Sequence, residues 1–200
     1  MNKLISLFSS LFKSLISRRY LLFPVIICIC GFYSCIEKKS KQENQTWEGI
    51  ISTYNFSTPV QKLMLDRPGI LRGFNFDSDS SLILANETAN LVQKGENYIN
   101  YSIDFDQFDA ADIIYHFPND ETVDMFEVVL YMKDKANADS ILVDLREYLK
   151  IKFGEPTLQG DTILAWDDSI NNIHARLQFP DENKYKDMQL LIFKSSNEIP

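Results

Sequence analysis

Apolar and polar residues alternate with a period of two along several stretches in the middle and at the end of the chain. Over 98–106 the apolar positions are Ile99, Tyr101, Ile103 and Phe105, with polar residues between them. This alternation is typical of a half-buried strand, because successive side chains of a strand point to opposite faces. Comparable patterns predict further strands at about 47–56, 111–117, 123–133, 162–167, 172–179 and 187–194.

Helical spacing of apolar residues predicts three helices. A short one spans Pro59–Asp66, and a second begins at Asp77 or Ser78 and ends at Gly95. A third spans about 138–153 and ends before Gly154. The expected buried stripes, spaced by three or four residues, are Leu82, Ala85, Ala89 and Val92 in the second helix and Leu142, Leu145, Leu149 and Phe153 in the third.

The two halves of this pattern correspond to each other. The matching segments are Phe117-Pro118 with Phe179-Pro180, Asp124-Met125 with Asp187-Met188, Lys133 with Lys194, and Asp104–Asp106 with Trp166–Asp168. Chance similarity is the alternative, since hairpins rich in Phe, Pro and Asp are common. We favour a tandem repeat of a helix followed by three strands, over about 77–133 and 138–194. The prediction is an α+β fold, with an antiparallel sheet of about six strands and two helices on one face.

The first 36 residues have the composition of an export signal. Four basic residues and no acidic residue precede a short apolar run that begins at Tyr20, and the small residue Ser34 precedes Cys35. This order resembles bacterial lipoprotein precursors, in which the cysteine after the cleavage site receives lipid. The resemblance implies lipidation at Cys35 and a domain outside the cytoplasm, in the bacterial cell envelope. An uncleaved signal anchor over Tyr20–Ile36 is the alternative, and it gives the same topology.

These observations divide the chain into a signal or membrane anchor (1–35), a polar tether (36–46) and one globular domain (47–200). The leader carries four of the 20 basic residues and none of the 28 acidic ones, so the remainder has 16 against 28, a formal net charge of −12. A surface of this charge repels phosphate backbones, which argues against nucleic acid as a partner. The helix-plus-meander pattern of 77–194 is similar to small periplasmic proteins such as beta-lactamase-inhibitor-like domains. That resemblance concerns architecture only.

No arrangement of residues predicts catalysis, and we expect neither an enzyme nor a cofactor. The two histidines, His116 and His174, fall at different positions of the repeat, and the spacing indicates no third zinc ligand. The acidic run Asp104, Asp106, Asp109 and Asp112 is the sharpest cluster. A solvated hairpin end explains it, and the alternatives are a calcium site, with a calcium-dependent enzyme as its functional form, or a carboxylate pair for acid–base chemistry.

The candidate binding surface is the polar side of the sheet. Its predicted residues are Asp112, Ile114 and His116 on one strand and His174, Arg176 and Gln178 on another. Mixed polar groups on a rigid sheet suit a protein or peptide partner, whereas an ordinary solvated sheet face is the alternative. The predicted function is a membrane-tethered, non-catalytic binding or envelope-interaction module. A structural envelope component is the competing interpretation.

Overall fold

An antiparallel sheet of eight strands organises the fold. The computed structural model describes residues 49–106, 109–118, 122–179 and 187–194, which belong to one compact unit, Trp47–Pro200. The strands are β1 (Asn90–Lys94), β2 (Tyr98–Asp104), β3 (Ala110–His116), β4 (Met125–Tyr131), β5 (Leu158–Gln159), β6 (Ile163–Asp168), β7 (Ile173–Gln178) and β8 (Asp187–Lys194). The predictions for the signal, for Cys35 and for the tether concern residues outside this description.

The strands lie in the order β1-β2-β3-β4-β8-β7-β6-β5. Each half of the sheet is therefore a four-stranded meander, and the two meanders join through their last strands, β4 and β8. In that central pair Val128 lies opposite Leu190. The first strand of each meander, β1 or β5, forms an outer edge of the sheet.

Four helices are described. They are α1 (Ile50–Thr53), α2 (Thr58–Met64), α3 (Ser80–Asn86) and α4 (Lys135–Phe153). Asp79 caps α3 by accepting a hydrogen bond from Leu82 N at 2.7 Å, and Asp134 caps α4 by accepting one from Asn137 N. None of these helices is both long enough and apolar enough to span a bilayer.

The hydrophobic core lies on the face of the sheet that the helices cover. α4 contributes Leu145 and Leu149, both fully buried, and α2 contributes Leu63. An irregular segment between α2 and α3 covers the first meander, where the ring of Phe74 meets that of Tyr115 at 5.5 Å. We call the opposite side of the sheet the outer face.

The α+β class and the antiparallel sheet are confirmed, but the sheet has eight strands, not six. The two additional strands are the edge strands, β1 and β5. All five residues of β1 are exposed, and β5 has two residues. A strand without a buried side shows no alternation of polar and apolar residues, so neither element could be found as a strand, and the residues of β1 were predicted as the end of a helix.

Two local predictions are wrong. The stretch 47–56 was expected to be a strand, but Ile50–Thr53 is a short helix. The helix expected to run to Gly95 begins with an Asp79 cap and ends at Asn86, where Glu87 accepts hydrogen bonds from Thr88 N and Ala89 N. These bonds compete with continuation of the helix, and the residues from Asn90 pair with β2 instead.

The helix at 138–153 is confirmed as α4, although its buried stripe is rotated about the helix axis relative to the prediction. Leu145 and Leu149 are buried as expected, whereas Leu142 and Phe153 are only half-buried. The rest of the stripe is Ala138, Ile141, Tyr148 and Lys152. One matched pair of the proposed repeat also fails to share a face, because Trp166 is buried in the core and Asp104 is exposed.

Candidate functional site

The outer face is formed by one side of each of the six interior strands, β2, β3, β4, β6, β7 and β8. The register aligns its residues in rows that cross the sheet. One row contains, in order, Tyr98, His116, Met125, Phe193, His174 and Asp167. The next row contains Asn100, Ile114, Glu127, Leu191, Arg176 and Ala165.

All six residues predicted for the binding surface lie on this face. Asp112, Ile114 and His116 come from β3, and the other three come from β7. Five of the six are half-buried, and Gln178 is exposed. However, β4 and β8 separate the two groups, so three strand spacings, about 14 Å, lie between them. The six residues therefore share a surface without meeting at one point.

The first cluster on the outer face centres on the carboxylate of Glu127. Nε2 of His116 lies 2.8 Å from Oε2 of Glu127, and Gln189 Nε2 donates to Oε1 at 2.6 Å. The hydrogen bond with His116 is the main cause that lowers the pKa of Glu127. This carboxyl group therefore stays ionised at neutral pH while its side chain is only 17% exposed.

The second cluster centres on Asp167. Nδ1 of His174 lies 2.6 Å from Oδ1 of Asp167, and Thr157 donates its hydroxyl to Oδ2 at 2.8 Å. The bond with His174 is again the main cause that lowers the pKa of the carboxyl group. Asp167 is 51% exposed, so this cluster is wetter than the first.

Apolar residues lie between the two clusters. Leu191 and Phe193 of β8 lie there, and Ala165 lies on β6 beside the second cluster. All three are buried although they do not belong to the core cluster. The imidazole of His174 stacks on the Phe193 ring at 5.4 Å, and the Arg176 guanidinium lies 5.4 Å from the same ring. Arg176 thus lies over an aromatic ring, a favourable position for a cation.

Sequence reasoning missed Glu127, Gln189 and Phe193. These residues lie on β4 and β8, which read as apolar strands. Glu127 interrupts the apolar run of β4, and Gln189 interrupts that of β8. An interruption of this kind within a central strand was the available signal, because a polar residue there needs a partner.

Three of the four acidic residues at the β2–β3 hairpin accept hydrogen bonds from within the domain. Asp109 is buried and accepts hydrogen bonds from Lys133 N at 2.6 Å and from the Asn137 amide. Asp106 accepts from Asp109 N, and Asp112 accepts from the Tyr131 hydroxyl. Within the described ranges, no group of three or more His, Cys, Asp or Glu residues is placed to hold a metal ion.

A buried ion pair lies on the helix side of the sheet. Arg72 Nη2 lies 2.7 Å from Glu87 Oε1, and the two side chains are 2% and 1% exposed. Tyr115 donates its hydroxyl to Glu87, and Arg72 also donates to the carbonyls of Lys62 and Leu63. Burial and the Glu87 charge raise the pKa of Tyr115 well above its usual value. These contacts tie α2, α3 and β3 together.

Two open clefts indent the helix side. A cleft of about 400 Å³ lies between Tyr54 and the exposed side of α4 at Val143. A cleft of about 390 Å³ adjoins the buried ion pair and is lined by Lys62, Thr88 and Ser102, among others. In the second cleft, Lys62 Nζ donates to the carbonyls of Asp104 and Phe105.

The outer face is thus the surface where bonded polar clusters and apolar side chains occur together over many strands. Comparison with protein-family models, with curated proteins and with solved structures gave no match.

Proposed function

We propose that this chain is an exported lipoprotein, tethered to a membrane of the bacterial cell envelope through Cys35. Its domain is a non-catalytic module that binds a protein or peptide partner on the outer face. The observation that carries this proposal is the set of buried apolar residues on the outer face, between two hydrogen-bonded polar clusters. Protein interfaces combine an apolar centre with polar groups that are already oriented.

The size of the outer face fits a partner protein. The six interior strands at about 4.8 Å spacing, with about seven residues of 3.3 Å each, give an area of roughly 700 Å². A standard interface buries about 800 Å² on each partner. A surface of this size suits one folded domain or a long peptide.

Arg176 is the proposed anchor of the partner. It is half-buried, and its guanidinium is held against Phe193. Arginine is enriched among the residues whose truncation weakens interfaces most. Its orientation before binding reduces the entropy that a partner must overcome.

The same architecture supports a tandem repeat as the origin of the domain. Each half consists of a helix followed by a four-stranded meander, so the proposed unit has one more strand than the sequence pattern indicates. The meanders meet through equivalent last strands. Such an arrangement follows naturally when one unit is duplicated and the two copies share a sheet.

The structural envelope component remains the second candidate, and the solvated character of Gln178 and Asp167 favours it. The calcium-dependent enzyme has less support. Asp109 is occupied by main-chain and side-chain donors, and a calcium ion would have to displace them.

The test is affinity capture from the native envelope with the tagged full-length chain. Arg176→Ala should lose partners that the wild type retains, with little change in thermal melting. Arg146→Ala is the matched control, since Arg146 is exposed on α4, away from the sheet. Equal capture by both variants would indicate that the outer face is an ordinary solvated surface. A collapse of the Arg176→Ala melting temperature would assign the residue a structural role.

A further inference from the structure

A lysine of α4 is buried beneath the irregular segment between α2 and α3. Lys152 is 6% exposed, and its Nζ donates hydrogen bonds to two consecutive carbonyls of that segment, Gly69 O at 2.8 Å and Ile70 O. We call residues 66–71 the flap. An ammonium group under this cover loses its hydration, and bonds to carbonyls replace that hydration only in part. The closed flap therefore disfavours the charged form of the lysine.

The flap lies between two strained residues. Leu65 precedes it with φ 51° and Arg72 follows it with φ 55°, a backbone region that bulky side chains rarely adopt. Within the flap, a Cβ added at Gly69 would lie 2.7 Å from the carbonyl carbon of Gly73, so the chain is folded closely onto itself. Strained conformations persist only where surrounding contacts hold them. Leu65 and Arg72 are thus the hinges at which the flap can move.

The contacts of the flap are few compared with those beyond its second hinge. Residues 66–68 are exposed, and the amides of Ile70 and Leu71 share one acceptor, Phe74 O, at 2.8 and 3.2 Å. In contrast, the Arg72 side chain is anchored by its ion pair with Glu87. The flap can therefore open as a short unit while the buried ion pair stays intact.

The neighbours of Lys152 on α4 and β6 are uncharged near neutral pH. The rings of Tyr148 and Phe153 lie 5.7 and 5.9 Å from its Nζ. Burial raises the pKa of Tyr148 to about 12, so its hydroxyl keeps its proton. From β6, the indole of Trp166 donates to Gly154 O at the end of α4. The charged residues of the last two turns of α4 are exposed, apart from Lys152 itself; they are Arg146, Glu147 and Lys150.

The charged groups of the flap and of α2 do not titrate with Lys152. Desolvation opposes ionisation of Asp66, but hydrogen bonds from Ser52 and from Gly49 N hold the pKa of this carboxyl group below its usual value. Arg67 and Arg72 carry permanent charges. Lys62 of α2 donates to carbonyls at the end of β2.

Opening of the flap is therefore linked to the proton on Lys152. Burial lowers the pKa of this lysine from 10.5 to about 7 in the closed form, and access of water returns it toward 10.5. The open form binds the proton more readily, so the advantage of the closed form decreases as the pH falls from 10.5 to about 7. With these two values, the ratio of open to closed flap rises about tenfold from pH 8 to pH 6.

We propose that residues 66–71 form an acid-sensitive flap, which leaves the core when Lys152 binds a proton and closes over Lys152 when that proton is lost. The open flap exposes Ile70 and Leu71, two side chains that the closed form buries. The movement needs no partner, so it does not depend on the binding surface proposed above.

The experiment is hydrogen exchange of the full-length chain at pH 6 and pH 8, read by mass spectrometry over residues 66–75. Exchange times are scaled for the effect of pH on the intrinsic rate. The Ile70 and Leu71 amides should be about tenfold less protected at pH 6 than at pH 8. At both pH values they should exchange faster than the amides of β4, because the flap opens while the sheet stays folded.

Two lysine variants of α4 form the matched comparison. Lys152→Met removes the titrating group, so the flap should have the same protection at both pH values, whatever its level. Lys150→Met changes an exposed lysine that pairs with Glu155 at the surface, and it should keep the tenfold effect. Protection of the β4 amides reports that each variant is folded. Lys152→Leu replaces Lys152→Met in this comparison if the methionine variant does not fold.

Three outcomes overturn the proposal. Equal wild-type protection at pH 6 and pH 8, or lower protection at pH 8, contradicts the link between the proton and opening. A folded variant without Lys152 that keeps the pH dependence assigns it to another group. Flap amides that are as protected as those of β4 show that residues 66–71 open only when the whole domain unfolds.

Discussion

Replacement of Lys152 by methionine should change how stability depends on pH. Lys152 is buried on the helix side of the sheet, and its Nζ donates to the carbonyl of Gly69 at 2.8 Å and to that of Ile70. Burial lowers the pKa of this lysine from 10.5 to about 7. Methionine has a similar length and no charge, so Lys152→Met removes the titration and keeps most of the packing.

The sign and size of the effect follow from that pKa. A base with a lower pKa in the folded chain destabilises the fold fully below its folded pKa, and the penalty disappears as the pH rises toward 10.5. One pKa unit corresponds to about 1.36 kcal/mol. Between pH 6 and pH 9 the penalty falls from about 5 to about 2 kcal/mol. The wild type should therefore gain about 3 kcal/mol relative to Lys152→Met over this range.

The assay is urea unfolding of both proteins at pH 6, 7, 8 and 9, with the free energy of unfolding compared at each pH. Groups that titrate in both proteins cancel in the difference. Burial raises the pKa of Tyr148, the aromatic neighbour of Lys152 on α4, to about 12, so this group does not titrate in the range. If the difference between the proteins stays constant from pH 6 to pH 9, the carbonyls keep Lys152 charged and the reasoning is refuted.

Three further predictions concern the core, the buried ion pair and the anchor. Leu149→Ala should lower the free energy of unfolding by about 2–5 kcal/mol in urea titrations, as for other buried leucines; a change below about 0.5 kcal/mol would mean that α4 is peripheral. Glu87→Ala should lower it by about 3–5 kcal/mol because it leaves Arg72 buried without its counter-charge, and Glu87→Gln, which keeps a hydrogen-bond acceptor, should be milder. Equal losses in the two Glu87 variants would contradict that charge argument. Cys35→Ala should yield an unprocessed precursor without labelled fatty acid, and normal labelling would exclude Cys35 as the lipid site.

The interior of the sheet was predictable because each interior strand has one buried side. The period-two pattern placed β2, β3 and β4 within a few residues of their observed bounds, and likewise the three interior strands of the second half. The edge strands β1 and β5 lack that constraint, so β5 could not be distinguished from a loop and β1 was predicted as the end of a helix. The irregular segment between α2 and α3 could not be predicted either, because its Gly69 and Ile70 carbonyls bond to the distant Lys152, which the sequence places among the surface residues of α4.

The candidate surface was predictable in outline for the same reason. Alternation within β3 and β7 put the six residues on one face, and it says nothing about the order of strands between them. The pairing of His116 with Glu127 depends on the register of two strands. Register depends on turns and on side-chain packing across the sheet, which a single chain pattern does not show. The chemical clusters therefore became visible only with the folded arrangement.

The central pairing of β4 with β8 has a consequence for the order of folding. While β8 is still unfolded, the first meander ends in an open edge at β4, whose residues Phe126, Val128 and Leu130 are fully buried in the finished domain. An open edge with apolar residues readily pairs with another chain. Because the strand that closes it lies about 60 residues further along, closure is slow compared with local contacts. The first half of a chain that is still folding is thus open to exchange, and completion of its sheet by β8 of a second molecule would give a domain-swapped dimer.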